Sequence, residues 1–353
     1  MVRRVTILSD RWPGFGRIPY VRIAELPTAV EPLEALSTRH GAELWVKRDD
    51  LASARYGGNK VRKLEYVLGE TLAERADTIV TTGAAGSHHA LATAIFAEDL
   101  RVRVDVVAFP QPWSPHAESQ LRALLDAGAQ VHPIRSPAMS LAAMRALAAR
   151  LRLRGRRPHV VPPGGSSRAG IIGHVEAGLE LSRQIESREM PEPHALFVPL
   201  GTGGTAAGLA VGLAAAGLTT QVVAVRVVPR AVANAMVMGS MVKRAVAHLR
   251  ALDARFPDVV GTARALLSID GEEYGDGYGA PTPYGRAATR AAATAGLELD
   301  PTYTAKAFAA MLRQAANERA GQRLLFVHTL SATHPGRSEG PRLPKNLRKL
   351  LRR

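Results

Sequence analysis

Short β-branched and aliphatic runs alternate with helical periodicity along most of this chain. Apolar runs too short for helices predict strands at 78–82, 102–108, 131–134, 195–200, 221–228 and 324–328. Apolar positions recurring every three to four residues predict helices at 89–98, 118–127, 140–153, 172–185, 205–216 and 304–317. Strand and helix taking turns predicts an α/β chain with open, twisted parallel sheets covered by helices on both faces. Ligands of such sheets sit outside the carboxyl ends of the strands, which directs attention to the turns at 83–89, 201–205 and 328–333. The run Gly208–Leu218 is too short and too rich in glycine and alanine for a membrane span, so it is expected as a buried helix.

At 353 residues, two domains around a cleft are the natural expectation. The absence of cysteine removes disulfides, thiolate nucleophiles and sulfur-ligated metals. Arg11, Pro13 and Arg17 interrupt any signal-peptide core after the basic start, so a cytoplasmic location is expected, with no membrane partner. Net charge is +15, and only seven of the 46 basic residues are lysines. The arginines are spread along helical stretches such as 145–157, and aromatics make up only 5% of the chain, which argues against nucleic acid as a partner. The basic tail at 341–353 is expected as a frayed end, with an amphipathic basic appendage as the alternative.

Four segments could carry chemistry. Lys60 follows the bend Gly57-Gly58 and precedes an amphipathic run, a placement that projects an amine into a cleft. A partly dry cleft favours the neutral amine, which Schiff-base chemistry with pyridoxal phosphate requires. A surface lysine in a glycine turn is the alternative. Gly201-Thr202-Gly203-Gly204-Thr205 links a strand to a helix and suits a phosphate, yet it matches neither the dinucleotide fingerprint, since Ala206 stands where glycine is needed, nor a Walker loop. Gly83-Ala-Ala-Gly-Ser87-His88-His89 is a second strand-to-helix turn, with Ser87 placed to cap the helix. Adjacent histidines on a helix cannot share one ion, so no metal is expected. Tyr278 lies in a glycine-proline loop and Tyr303 in a proline-led helix start, and both bring titratable hydroxyls.

Together these segments resemble the pyridoxal-phosphate enzymes of the D-cysteine desulfhydrase and 1-aminocyclopropane-1-carboxylate deaminase family, which has the tryptophan-synthase-β-like fold. The resemblance runs in order through Leu26-Pro-Thr28, Lys47-Arg-Asp-Asp50, Gly57-Gly-Asn-Lys-Val-Arg-Lys-Leu-Glu65, Gly164-Gly-Ser166, Gly201–Thr205, Tyr278-Gly-Ala-Pro281 and Asp300-Pro-Thr-Tyr303, ending near Thr329. It implies a larger domain from 1–62 and 163–340, a smaller inserted domain at 63–162, the cofactor in the cleft between them, and a homodimer. It further implies Lys60 as the Schiff-base lysine and Gly201–Thr205 as the phosphate loop. Ser87 would be the substrate serine, Tyr278 and Tyr303 the active-site tyrosines, and Thr329 the partner of the pyridine nitrogen.

Deaminases of the family carry glutamate after the second tyrosine and leucine after the late histidine, where this chain has Thr304 and Thr329. The resemblance therefore implies a lyase acting on a small amino acid, with α,β-elimination of D-cysteine foremost. Alternatives are deaminase, racemase or dehydratase activity, or a cofactor-binding protein without turnover. Lys60, Ser87 or a tyrosine would take the α-proton. The chain departs from the family at Gly86, where glutamine is usual, and at His88, which stands where an asparagine bonds the cofactor's phenolic oxygen. It departs again at Leu330-Ser331, which replace two glycines and are expected to reshape the pocket, and at 332–336.

Overall fold

The computed structural model describes residues 6–334 and 343–352. Its strands are β1 (Val30–Pro32), β2 (Glu43–Lys47), β3 (Thr78–Ala84), β4 (Arg103–Phe109), β5 (Gln111–Pro112), β6 (Gln130–Pro133), β7 (Pro158–Val160), β8 (Ala195–Leu200), β9 (Gln221–Arg226), β10 (Leu267–Asp270), β11 (Arg323–Val327) and β12 (Leu351–Arg352). One sheet has the order β1-β2-β11-β8-β9-β10 and a second the order β6-β4-β3-β7. Every pairing in them is parallel except the edge pair of β1 with β2.

Central strands explain the arrangement. Every residue of β8 is buried. Leu196, Val198 and Leu200 enter one core, with the helices Arg168–Glu186 and Gly204–Ala216. Ala195 and Phe197 enter another, against the helix Thr304–Ala315. Alternation along a strand thus feeds two cores at once, the pattern of a sheet covered on both faces. In the second sheet Ile79 and Val80 divide in the same way.

The predicted strands and helices are all present, with 195–200 and 140–153 matched at both ends. Helix starts at Pro115 and Arg168 lie earlier than periodicity suggested, because Ser114 and Ser167 cap them. The Gly204–Ala216 helix is buried almost throughout, and no described helix is long and apolar enough to cross a membrane. It packs tightly on Arg168–Glu186, where a Cβ on Gly212 would lie 2.2 Å from the Val175 carbonyl oxygen. The boundary expected at 62/63 falls inside the helix Asn59–Ala73.

The end of the chain corrects an expectation. Residues 343–352 dock instead of fraying: Leu343, Leu347, Leu350 and Leu351 are buried in the core that holds Ile79 and Val104. β12 extends the pairing by lying parallel to β5. Leu347 lies in the short helix Lys345–Arg348 and Leu343, Leu350 and Leu351 flank it, an apolar set that the density of basic residues obscures.

A buried ion cluster joins the segments beneath the cleft. Arg62 bonds Asp49 at 2.7 Å and Glu180 at 2.8 Å, and Lys47 bonds Glu180 at 2.6 Å. Thr28 and Gln184 fill the remaining positions. Burial opposes ionisation of Glu180, but Arg62 and Lys47 outweigh it and hold the carboxyl at about 2, below its ordinary 4.5. A depressed carboxyl stabilises the fold above its unfolded pKa and loses that contribution as pH falls through its folded one. Glu180→Gln is therefore expected to cost about 3–5 kcal/mol at neutral pH, because it leaves buried cations underpaired. In denaturant titrations followed by circular dichroism, its gap from the parent should close as pH falls from 4.5 toward 2. A gap that does not depend on pH would contradict this account.

Candidate functional site

The lysine turn is shaped by its glycines. A Cβ on Gly57 would lie 1.9 Å from the Asp50 carbonyl oxygen, and one on Gly58, at φ +86°, would lie 2.6 Å from that of Thr329. The Gly58 N–H donates to Asp49 O and the Asn59 N–H to Thr329 O, so the turn is fastened to the ends of β2 and β11. Lys60 is the second residue of the helix Asn59–Ala73 and lines a cavity of about 660 Å³. Burial pulls its amine down to about 8, with Asp300 acting in the opposite direction.

The same cavity reaches the carboxyl ends of β3, β4 and β8, as the rule for open sheets requires. Every expected site residue except Gly204 lines it. Gly204 instead backs onto Lys63, whose Nζ lies 2.9 Å from where a Cβ would stand. Lys63 Nζ donates to Gly164 O and Ser166 Oγ, both at 3.1 Å, and Ser166 Oγ meets Thr202 Oγ1 at 2.7 Å. Burial, then the nearby Lys60, drives the Lys63 amine well below its ordinary value. Among the described residues no carboxylate pairs with Lys63, so a buried amine with neutral acceptors faces a glycine turn at a helix N-terminus. That donor set suits a phosphate. The group expected from the sequence therefore fits the residues present.

Tyr278 and Tyr303 share a hydrogen bond of 2.6 Å between their hydroxyls. Burial pushes Tyr278 up to about 12 and drives Tyr303 well above its ordinary value, so both phenols hold their protons. Ser87 caps the helix His88–Asp99 through Ala90 N, and its turn is held by the Gly86 N–H donating to Gln111 Oε1 at 3.0 Å.

His88 differs from expectation. Its ring lines the cavity, but Nδ1 meets the Tyr56 hydroxyl at 2.9 Å and Nε2 meets His116 Nε2 at 3.0 Å. Burial and His116 hold the ring neutral, at about 3. Both nitrogens are engaged by protein, so neither is spare for a phenolic oxygen in this arrangement. The expected crowding at 330–331 is also only half met: Leu330 lines the cavity, whereas Ser331 is turned away and receives the Gly57 N–H at 2.8 Å.

Sequence reasoning missed Lys63 and Asp300 as site residues. Lys63 stands at i+3 from Lys60, a spacing that shares one helix face. Asp300 opens the tyrosine segment and lines the cavity, and its carboxylate accepts the N–H groups of Thr302, Tyr303 and Thr304. Burial works against its ionisation, but the hydrogen bonds from Thr304 hold it below the ordinary range. Thr304 Oγ1 donates to the same carboxylate at 2.7 Å and is fully buried, outside the cavity wall.

Comparison with known proteins agrees with this geometry. D-cysteine desulfhydrases of Salmonella schwarzengrund and Klebsiella pneumoniae are 35% identical over 332 residues, spanning 90% of this chain and 97% of theirs. A crystal structure of an ACC deaminase homologue superposes with a TM-score of 0.79 at 26% identity, covering 99% of this chain and all of that one. The model of the pyridoxal-phosphate dependent enzymes matches residues 21–329. The chain belongs to that family of pyridoxal-phosphate dependent enzymes.

Proposed function

We propose that this chain eliminates sulfide from D-cysteine, taking up water to give pyruvate, ammonia and hydrogen sulfide. The observation that carries the reading is the opening of the Lys60 amine onto one cavity shared by the Gly201–Thr205 turn, Ser87 and the tyrosine pair. The 35% identity to D-cysteine desulfhydrases supports the substrate. Pyridoxal phosphate would be held on the Lys60 amine until the substrate amine displaced it, and would then supply the electron sink that weakens the bonds at the substrate's α-carbon. The proposal places it in the cleft between a larger domain (1–62 and 163–340) and a smaller one (63–162).

Gly201–Thr205, Lys63 and Ser166 hold the phosphate, with the lysine supplying charge and the turn supplying N–H groups. Thr329 offers a neutral hydroxyl to the pyridine nitrogen, a weaker demand for protonation than a carboxylate would make. Loss of a good leaving group such as thiolate tolerates that weaker sink. Thr304 adds to the case, because it is spent on Asp300 and presents no acid to the cavity. The Ser87 hydroxyl and the first N–H groups of the helix His88–Asp99 receive the substrate carboxylate. The neutral Lys60 amine takes the α-proton, and the protonated tyrosine pair donates toward the departing sulfur. Family resemblance supports a homodimer, which light scattering would check.

Three outcomes are expected. The protein with pyridoxal phosphate shows a visible absorbance band and releases sulfide and pyruvate in equal amounts from D-cysteine, and Lys60→Ala loses both. A protein that stays colourless with added cofactor refutes the reading, and a coloured protein inert toward D-cysteine refutes the substrate. Lys63→Met weakens cofactor binding on the order of tenfold to a hundredfold, the loss of one charge-assisted hydrogen bond to phosphate, measured by titration of that band. Finally, labelling of Lys60 in the cofactor-free chain by a neutral acylating reagent, read by peptide mapping, rises with pH to a plateau above about 8. Asp300 raises the Lys60 pKa, so Asp300→Asn moves that rise to lower pH; a shift upward would contradict the assignment.

A further inference from the structure

We propose that the C-terminal segment 343–352 is a positioning element of the site, acting through Gln111 on the turn that carries Ser87. This rests on the function proposed above for that site. β12 is a backbone clamp on β5: the Gln111 N–H donates to Leu350 O at 2.9 Å and the Trp113 N–H to Arg352 O at 2.7 Å. The clamp is anchored by Leu343, Leu347, Leu350 and Leu351, all at most 8% exposed.

β5 is only two residues long, fixed on one side by β4, whose pairing with β3 ends at Phe109, and on the other by β12. Its Gln111 side chain is 7% exposed and accepts the Gly86 N–H, one residue before Ser87. Gly86 has no room to move toward this strand and helix, since a Cβ there would lie 2.9 Å from Ala117 Cα and 3.2 Å from Gln111 Nε2. The next residue, Pro112, lines the cavity and reaches the opposite wall, within 3.4 Å of where a Cβ on Gly279 would stand, beside Tyr278. The tail therefore sets a two-residue strand that touches both the serine turn and the tyrosine loop. It lies beyond residue 329, where the family match ends.

The test uses the full chain loaded with cofactor, the chain ended at Arg342, Gln111→Met, which keeps volume but removes the acceptor, and Gln111→Glu, which keeps it. Hydrogen exchange at Gly86 is read alongside kcat and KM for sulfide release. The shortened chain and Gln111→Met are expected to keep the visible band, to exchange at Gly86 about five to ten times faster, and to lose a similar factor in kcat, as for one lost hydrogen bond. Gln111→Glu should restore both readings, and combining Gln111→Met with the truncation should add nothing further. If the shortened chain does not fold, Leu351→Ala takes its place. Unchanged exchange in Gln111→Met, or full additivity of the two changes, overturns the proposal. Exchange requires no substrate, so a loaded parent enzyme inert toward D-cysteine sinks the function while the clamp is still decided.

Discussion

The charge balance around Arg62 is the constraint on which the site depends. Two cations, Lys47 and Arg62, meet two carboxylates, Asp49 and Glu180, and all four side chains are almost wholly shielded from water. Such a cluster costs desolvation energy, and apolar replacements of equal volume are often no less stable. Its value here is geometric. Arg62 lies two residues beyond Lys60, about 200° around the helix, so anchoring one face to Asp49 and Glu180 turns the other toward the cavity. Lys63, three residues from Lys60, shares that second face. A single buried network thus aims two amines at one space.

Those amines make the site electrostatically incomplete. Burial lowers both, and each lysine is close enough for Lys60 to depress Lys63 further. A dianionic phosphate beside Lys63 reverses that penalty, restoring the ammonium and giving the glycine turn its ligand. For Lys60 it is burial in the dry surroundings that favours the neutral amine. Asp300 moderates this by favouring a charged Lys60 while remaining tied to three backbone N–H groups. The phenols stay protonated and His88 stays neutral, so the lysines and Asp300 are the groups whose charge the cofactor would tune. Ligation by the cofactor should therefore stabilise the fold as well as enable chemistry.

What the sequence revealed, and what it hid, follows from the range of the interactions. Buried parallel strands read clearly because both faces need apolar residues, as in β8. Turns that must approach another backbone announce themselves through paired glycines, as at 57–58. The tail was misjudged because its four leucines find a core only after folding brings residues 79 and 104 beneath them. β2 and β10 are among the strands that escaped notice: each is short and takes a parallel partner far away in sequence, although β2 also pairs with the nearby β1. His88 shows the limit most sharply. Its place in the family motif suggested a ligand to the cofactor, while its partners, Tyr56 and His116, come from segments that no local pattern connects.

The two departures at 330–331 illustrate how a site can change residues and keep its geometry. The Gly57 N–H is buried in a turn that no side chain can enter, so it needs an acceptor close at hand. Ser331 Oγ supplies one, and the same hydroxyl donates to Thr333 O and receives the Thr333 N–H, closing the loop after β11 on itself. A serine there fastens the lysine turn from the side opposite Thr329, whose carbonyl receives Asn59. Leu330, between them, is the one replacement that presents new surface to the cavity. Of the two, Leu330 is the one left to alter what the pocket accepts, since its neighbour is committed to holding Gly57 in place.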